Sequence, residues 1–416
     1  MKKNTRKQIL GCSTAVIFMA ALWIGGCGGS QKPEIEVALW NLNLHDGFYA
    51  DYMEAVDRQV PDVKIHWVKG ESALGYYQEL AEEGNLPDII TARRFSMKGA
   101  LELNPYLMKL TGSELTSSYY DIYLENYKTS EGEVFWLPMA GTVDGIIANR
   151  ALFEEYQIPI PLDFEGFVFA CQEFERYGIR AYSLDFSADY NSMHFLQGMG
   201  IESLCSVDGI AWRKEYEEGR TDQLDSAVWM PAFEKMEKLI RQGVLKPEMI
   251  NYEDSFAYDD FAEGRQAMTN ISSESISRLL PGMDLKILPY FGEKQNFLLT
   301  YPIFNVAVSK KVEESEKKEE AAWKVLSAMA SEETQKLLNK HTDGLVPYQR
   351  DISFEYTGSM NMVQNYLETN STYVRLATDE FFTASRDTVV KMLEEELPAS
   401  IALDLMNENL RQLQEK

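Results

Sequence analysis

The sequence predicts an α/β protein of two lobes, each a mainly parallel sheet flanked by helices. Strand-like and helix-like segments alternate in the order β-α-β-α-β between residues 34 and 91, which is typical of a parallel sheet covered by helices. Even without its first 26 residues, the chain of 416 residues exceeds the ~250–300 at which one hydrophobic core stops growing. Within Glu133–Phe153 a strand pattern stops and restarts, which favours a crossing between two sheets.

Residues 1–26 have the features of a secretory signal. A basic start precedes the apolar run Ile9–Ile24, which is shorter than the ~20 residues that a membrane-spanning helix needs. Cys27, preceded by two glycines, makes this end resemble the lipobox of bacterial lipoproteins, in which the cysteine is acylated, for example with palmitate, and becomes the mature N-terminus. Residues 27–33 are then the lipidated cysteine and a flexible tether. An uncleaved transmembrane anchor is the alternative.

The chain is strongly acidic, with 65 Asp and Glu against 40 Lys and Arg and a net charge of −25. Such a charge keeps a protein soluble and repels nucleic acid and anionic lipid surfaces, so we expect no nucleic-acid partner. Beyond the signal and Cys27, cysteine is limited to Cys171 and Cys205. The two could form a disulfide outside the cytoplasm, but a chain this long does not need one, which favours two buried free thiols.

The first lobe is predicted from the start of the mature chain. Glu34–Trp40 alternates apolar and polar residues as a half-buried strand does, and Pro61 and Gly84 end the two helices that follow. The two other predicted strands are Val63–Val68 and Asp88–Thr91. Ligands of parallel sheets bind beyond the carboxyl ends of the strands, so residues 40–45 and 92–95 are expected to border a binding site.

The stretch Glu133–Phe153 is interpreted as a hinge. Its first strand should end at Pro138, which has no backbone N–H to continue a sheet ladder. Gly141 and Gly145 allow the chain to change direction before the next apolar run. We expect the chain to cross between the lobes again near Leu288–Gly292 and near Asp343–Pro347. The resulting domain boundaries are 34–139 plus 290–342 for lobe 1 and 140–289 plus 343–416 for lobe 2.

The second lobe continues the α/β pattern. Asp163 is positioned to cap a helix, and Glu319–Asn339 is predicted as one long amphipathic helix. The remaining predicted segments are a strand at Ile179–Leu184, a helix at Ser226–Gln242, strands at Gln266–Ile271 and Leu285–Tyr290, an apolar segment at Ile303–Ser309, and two C-terminal helices.

Several motifs together resemble the extracellular solute-binding proteins of family 1, the carbohydrate receptors of ABC importers, which include maltose-binding protein. The matching stretches begin at Gly84 (GNLPDII), Val134 (VFWLP), Ile147 (IANRALF), Phe261 (FAEGRQAM), Val306 (VAVS), Ala321 (AAWK) and Gly344 (GLVP). Their order and spacing cover most of the mature chain. After Ala267-Met268 the family often has Gly and a sugar-stacking Trp, whereas residues 269–275 here contain no aromatic side chain, which argues against maltose.

This resemblance implies a periplasmic-binding-protein-like (type II) fold whose two lobes, joined by hinge strands, close around a ligand. It implies a monomeric, extracytoplasmic receptor, lipid-anchored to the bacterial cell membrane, that delivers a sugar of oligosaccharide size to ABC permease subunits. An acidic sugar or another small anion, held by Arg93 or Arg94, is the alternative ligand. Arg94-Phe95 matches an Arg-Phe pair of the family.

Sugars present C–H faces to aromatic rings and hydroxyls to planar polar groups, which makes aromatic and planar polar residues near the predicted cleft the candidate binding residues. They are Trp40, Asn41, His45, Arg93, Arg94, Asp144, Tyr190, Asn191, Ser272, Glu274 and Tyr301. For Trp40, packing in the core is an open alternative. We expect one of the two arginines, and not both, to lie in the cleft, because a surface salt bridge is equally compatible with an acidic chain.

The sequence contains none of the motifs of metalloproteases, serine hydrolases, phosphate-binding loops or dinucleotide-binding folds. The four histidines are scattered without metal-ligand spacing. We therefore expect no catalytic residue, metal or cofactor. A surface glycan-acting hydrolase, or an adhesin or sensor with the same fold, remains the alternative from another class.

Overall fold

Two separate sheets organise the chain in the computed structural model, which describes residues 32–40, 46–251, 254–342, 344–356, 360–361 and 363–414. Residues from Pro33 onward form one unit. The predicted signal, the lipidation site Cys27, and the candidates Asn41 and His45 lie outside the described residues.

The strands occur in the following order along the chain. They are β1 (Glu34–Trp40), β2 (Lys64–Gly70), β3 (Ile89–Ala92), β4 (Trp136–Pro138), β5 (Gly141–Asn149), β6 (Arg180–Tyr182), β7 (Gln266–Ser272), β8 (Leu285–Leu288), β9 (Leu298–Pro302), β10 (Asn305–Val308), β11 (Leu345–Val346) and β12 (Thr372–Val374).

Helices lie between and after these strands. They are α1 (Asp46–Gln59), α2 (Leu74–Glu82), α3 (Met97–Leu103), α4 (Glu114–Ser117), α5 (Asp121–Glu125), α6 (Arg150–Glu155), α7 (Phe164–Arg176), α8 (Asp189–Met199), α9 (Ile201–Leu204), α10 (Val207–Glu217), α11 (Ser226–Arg241), α12 (Asp254–Ala262), α13 (Ser273–Leu279), α14 (Glu316–Met329), α15 (Glu332–Thr342), α16 (Val363–Glu368), α17 (Asp379–Glu395) and α18 (Ala399–Gln414).

The first sheet has the order β2-β1-β3-β10-β4. Strand β1 alternates as predicted, with Ile35, Val37 and Leu39 fully buried, and it pairs in parallel with β2 and β3. Strand β10 runs antiparallel to both β3 and β4. The predicted β-α-β-α-β start of the first lobe is therefore confirmed, and two antiparallel pairings complete its sheet.

The second sheet is built on β5, a nine-residue strand that is buried along its whole length. The sheet has the order β12-β9-β5-β7-β6, and β8 and β11 also pair with β5. All four neighbours of β5 run antiparallel to it, whereas β12–β9 and β6–β7 are parallel. The two-lobed α/β class is as predicted. Mainly parallel pairing is wrong for this sheet, because the chain enters β5 through the hinge and not through a crossover helix.

The first crossing between the sheets is the predicted one. Strand β4 ends at Pro138 in the first sheet, and β5 begins at Gly141 in the second. The chain also crosses at β11, which pairs with β5 after α15, as expected for the segment that ends at Pro347.

The return crossing differs from the prediction. Strand β8 stays in the second sheet beside β5, and Tyr290 and Phe297 form a bridge that leads into β9. The chain returns to the first sheet only between β9 and β10, through Ile303 and Phe304. A boundary near residue 303 therefore fits the strand pairing better than the predicted boundary at residue 290.

Hydrophobic packing joins each sheet to its helices. One core contains Phe174, Trp229 and Leu393, under α7, α11 and α17 of the second lobe. Another contains both Val306 of the first sheet and Ile147 of the second, so it continues through the hinge. A third core covers the other face of the first sheet under α2 and α3.

Capping side chains explain two helix boundaries. Asp163 accepts a 2.7 Å hydrogen bond from the backbone N–H of Gly166 and begins α7, as predicted. The long helix expected over Glu319–Asn339 is divided into α14 and α15. Ser331 lies between the two helices and accepts a hydrogen bond from the N–H of Thr334, in the first turn of the second helix.

Strand β2 is an edge of the first sheet and carries charged side chains on its exposed positions. Lys64 and His66 both contact Glu34 of β1, at 2.9 and 3.0 Å, and Lys69 contacts Glu71 at 2.9 Å. The three β2 side chains are exposed.

Cys171 and Cys205 are free thiols, as favoured by the sequence. Burial raises the pKa of both, that of Cys205 to about 12. Within the described part of the chain, no helix is long and apolar enough to span a membrane.

Replacing Gly141 by Ala should destabilise the fold. A Cβ there would overlap the hydroxyl of Tyr348 and lie 2.9 Å from the carbonyl oxygen of Tyr301. We expect a loss of about 1–3 kcal/mol in the free energy of unfolding, measured by urea denaturation. Gly75→Ala in α2 is the control, since nothing lies within 4 Å of its new Cβ. Equal urea midpoints for the two variants would contradict the close contact at the hinge.

Candidate functional site

A cluster of aromatic and charged side chains lies where the two sheets meet. We define the cleft cluster as Trp40, Arg93, Asp144, Glu274, Tyr301 and Arg375. Trp40 is the last residue of β1 and Arg93 follows β3, so both come from carboxyl ends of first-sheet strands. The other four belong to β5, α13, β9 and the segment after β12. Both lobes therefore contribute side chains to one place.

The arginines of this cluster lie beside aromatic rings. The Cζ atom of Arg93 is 5.5 Å from the ring centroid of Trp40 and 5.7 Å from that of Tyr301. The Cζ atom of Arg375 is 4.2 Å from the same Tyr301 ring. Cation–π contacts of this kind contribute about 0.5–2 kcal/mol, more when water is excluded. The four side chains thus form a series of alternating rings and cations.

Each arginine is also paired with an acid. Arg375 Nη1 is 3.0 Å from Asp144 Oδ2, and both side chains are almost buried, at 12% and 6% exposure. Arg93 Nη2 is 3.6 Å from Glu274 Oε1, and these side chains are more open, at 21% and 30%. Two positive and two negative groups leave the cleft cluster without net charge.

The position of Arg93 is fixed by the hinge. Its Nη1 donates a 3.2 Å hydrogen bond to the carbonyl oxygen of Ile303, in the return crossing. Its own carbonyl oxygen accepts a 2.9 Å bond from the hydroxyl of Tyr301. Arg93 therefore contacts a ring of the first lobe, the hinge and an acid of the second lobe.

Burial shifts the pKa values of two groups here. It raises the pKa of Asp144, and the neighbouring Arg375 opposes this shift. Burial, with a smaller contribution from Arg375, lowers the pKa of His194 well below its usual value. Arg375 Nη1 lies closer to Nε2 of His194 than to Nδ1, and because a guanidinium only donates, Nε2 must accept and carry no proton. His194 is therefore neutral near pH 7.

Other predicted site residues lie around this cluster. Ser272, at the end of β7, lies opposite Asp144 in the pairing of β7 with β5. Tyr190 on α8 is 41% exposed, and its ring centroid is 6.1 Å from that of His194. Asn191 is buried and donates to the carbonyl oxygen of Asp185 at 2.9 Å.

The two consecutive arginines point to different places. Arg94 Nη1 lies 3.2 Å from Asp379 Oδ1 in a pair whose side chains are 64% and 79% exposed, away from the cleft cluster. Trp40 is half-buried, so its ring both packs against the core and contacts Arg93. Of the two arginines, Arg93 alone belongs to the cleft cluster, and its role in ligand binding stays a prediction.

The sequence prediction missed Arg375. This residue directly follows β12, a strand of three residues that was not recognised. The rule that ligands bind beyond strand ends would have selected Arg375 if β12 had been found. Among the described residues, no group of three or more His, Cys, Asp or Glu side chains could hold a metal ion.

The family of the chain follows from its sequence. A family profile described as "Bacterial extracellular solute-binding protein" matches residues 43–336, more than half of the chain. The chain belongs to this family. The family is one of binding proteins that act outside the cytoplasm. No curated protein matched the sequence significantly.

Solved structures of solute-binding proteins have the same fold. A family 1 extracellular solute-binding protein from Bifidobacterium longum subsp. infantis superposes with a TM-score of 0.77 and 16% identity, covering 92% of this chain and 99% of its own. A probable secreted solute-binding lipoprotein from Streptomyces coelicolor gives a TM-score of 0.75 and 14% identity, covering 91% of this chain and 98% of its own.

RafE from Streptococcus pneumoniae is similar in two structures. Its apo form gives a TM-score of 0.73 at 14% identity, covering 92% of this chain and 99% of that one. Its complex with raffinose gives a TM-score of 0.63 at 15% identity, covering 91% of this chain and 99% of that one. At such low identities, these similarities establish a shared fold and no shared ligand.

His194→Gln should reduce the dependence of stability on pH. In the wild type, the unfolded chain protonates this histidine near pH 6.5 while the folded protein keeps it neutral. The unfolded state then binds more protons, so wild-type stability is lost as pH falls through 6.5. The free energy of unfolding, measured by urea denaturation between about pH 7.5 and 5, should fall less in the variant than in the wild type. Equal slopes would contradict a neutral His194.

Proposed function

We propose that this protein captures a sugar of oligosaccharide size in the cleft between its lobes and delivers it to the permease of an ABC importer. The observation that carries this proposal is the cleft cluster, which combines aromatic rings and paired charges at the meeting point of the two sheets. Both lobes supply these groups, so a ligand held by all of them would favour lobe closure.

The chemistry of the cluster suits a polyhydroxylated ligand. The half-buried ring of Trp40 offers an apolar face, and the guanidinium and carboxylate groups are planar donors and acceptors for hydroxyls. Because Arg93 and Arg375 are each paired with an acid, a neutral ligand meets no uncompensated charge. The complex of RafE with raffinose, a protein of the same fold, supports a sugar as ligand.

An acidic sugar or another small anion is the second candidate. It is favoured by the two guanidinium groups close to Tyr301 and by Arg375 Nε, a buried donor without a hydrogen-bond partner among the described residues. An anion would have to displace Asp144 or Glu274 from its arginine. Displacing Asp144, whose side chain is 6% exposed, would leave a buried carboxylate without its partner, which is costly, so we favour the neutral ligand.

We further propose that the protein is a monomeric lipoprotein anchored outside the cytoplasm through acylated Cys27. The order of basic residues, apolar run and cysteine at the N-terminus supports this, and a protein of the same fold is described as a secreted lipoprotein. Within the fold we propose lobe boundaries at the crossings, with 34–139 plus 303–342 in lobe 1 and 140–302 plus 343–416 in lobe 2.

We also propose that the protein has no catalytic activity. Membership of a family of binding proteins supports this. The acids Asp144 and Glu274 are each engaged by an arginine, so neither carboxylate could act on a substrate without first leaving its ion pair. A glycan-acting enzyme would release products when the protein is incubated with oligosaccharides, and the proposal would then be abandoned.

A thermal-shift screen over neutral mono- and oligosaccharides, including raffinose, and over uronic acids should identify the ligand class. A ligand at 100 times its dissociation constant stabilises the folded state by about 2.7 kcal/mol, which raises the melting temperature measurably. We expect shifts with neutral oligosaccharides. Shifts with uronic acids alone would favour the anion alternative, and the absence of any shift would contradict sugar binding.

Arg93→Ala should weaken binding of the ligand found in that screen. The variant loses a charged hydrogen-bond donor worth about 1.5–3 kcal/mol, so we expect a dissociation constant about 10- to 100-fold higher by isothermal titration calorimetry. Arg58→Ala is the matched control, because Arg58 pairs with Glu333 on the surface of the first lobe. An Arg93→Ala variant that binds like Arg58→Ala would remove Arg93 from the site.

A further inference from the structure

Two consecutive residues of the first lobe form ion pairs with two different elements of the second. Arg93 contacts Glu274 of α13, at 3.6 Å, and Arg94 contacts Asp379, the first residue of α17, at 3.2 Å. Helix α13 directly follows β7 of the second sheet, and α17 packs against α8 and α18 in the core of the second lobe. The loop after β3 is therefore bound to the second lobe at two points.

This loop is itself held firmly on the first lobe. The backbone N–H of Arg94 donates a 2.9 Å hydrogen bond to the carbonyl oxygen of Ser72. Phe95 is buried against Trp136 and Tyr127, at ring-centroid distances of 5.9 and 4.5 Å. Because the loop cannot easily move on the first lobe, its ion pairs with the second lobe restrain the movement of one lobe relative to the other.

We propose that the pairs Arg93–Glu274 and Arg94–Asp379 act as an electrostatic clamp that holds the two lobes together in the absence of ligand. Arg94 and Asp379 are positioning residues in this proposal. They lie outside the cleft cluster, and they set the ligand affinity through the fraction of molecules that are already closed. The clamp does not depend on which ligand the cleft takes.

The two pairs of the clamp differ in their exposure to solvent. The side chains of Arg94 and Asp379 are mostly exposed, so salt should screen their attraction. Arg93 and Glu274 are less exposed, and Arg93 is also bonded to the hinge. Asp379 stands at the N-terminus of a helix of 17 residues, where the helix dipole favours a negative charge. The Arg94–Asp379 pair is therefore the part of the clamp that salt or a surface mutation can release.

A modest attraction is enough to matter for binding. When only a fraction of the molecules is competent to bind, the apparent dissociation constant rises in inverse proportion to that fraction. Loss of one exposed ion pair typically changes an equilibrium by about two- to fivefold. Arg94→Ala should therefore weaken ligand binding about two- to fivefold, with no ligand contact removed.

The clamp can be tested without any ligand by pulsed electron–electron resonance on the full chain. Glu79 on α2 and Asp208 on α10 are exposed, and each can be replaced by a noncanonical amino acid that carries a spin label. The distance between the two labels reports the distance between the lobes. We expect Arg94→Ala and Asp379→Ala each to shift the distance distribution to longer values. About 1 M NaCl should produce the same shift in the wild type and little change in Arg94→Ala.

Two further variants make the test specific. The charge exchange Arg94→Asp with Asp379→Arg should restore the wild-type distribution, which a merely structural role of either residue would not predict. Arg150→Ala should leave the distribution unchanged, because Arg150 pairs with Glu154 and Asp284 within the second lobe. Single variants with the wild-type distribution, or a charge exchange that fails to restore it, would overturn the clamp. Because the measurement uses no ligand, its failure is distinct from a failure of the proposed sugar binding.

Discussion

The structure depends on the pairing of β5. This one strand accepts four antiparallel neighbours, with β9 and β11 on its first half and β7 and β8 on its second. Its side chains are buried throughout, and Gly145 leaves room for the carbonyl oxygen of Leu288, which would lie 2.8 Å from a Cβ. Because β5 is also the first segment after the hinge, the strand that organises the second lobe is the strand that joins it to the first.

This arrangement brings binding groups to the hinge. Asp144 lies in β5 and Tyr301 in β9, and the two strands pair beside the crossing. Arg93 contacts Tyr301 through its own carbonyl oxygen and contacts the return crossing through its guanidinium. A ligand that alters the contacts of Arg93 therefore acts on the segment about which the lobes move. Under the proposed function, the residues that contact the ligand would also lie at the crossings between the lobes.

The sequence patterns predicted the fold where one period dominated. In strand β1 the apolar residues Ile35, Val37 and Leu39 recur at every second position, and the bounds of the strand agree with the prediction. The return crossing was misplaced because residues 297–308 are almost continuously apolar across two strands, so periodicity could not separate β9 from β10. The two strands are separated at Pro302, which ends β9 in the same way that Pro138 ends β4. Arg375 could not be found because its contacts with Asp144 and Tyr301 join residues distant in sequence, and β12 is too short for a pattern.

The charged edge strand β2 has a consequence for contacts between copies of the protein. Its unpaired side presents backbone donors and acceptors on which a strand of another copy could assemble. The exposed side chains of Lys64 and Lys69 carry charge along this edge, so a strand of a second copy would have to pack beside charged groups as it paired. Edge-to-edge pairing of two copies is therefore disfavoured.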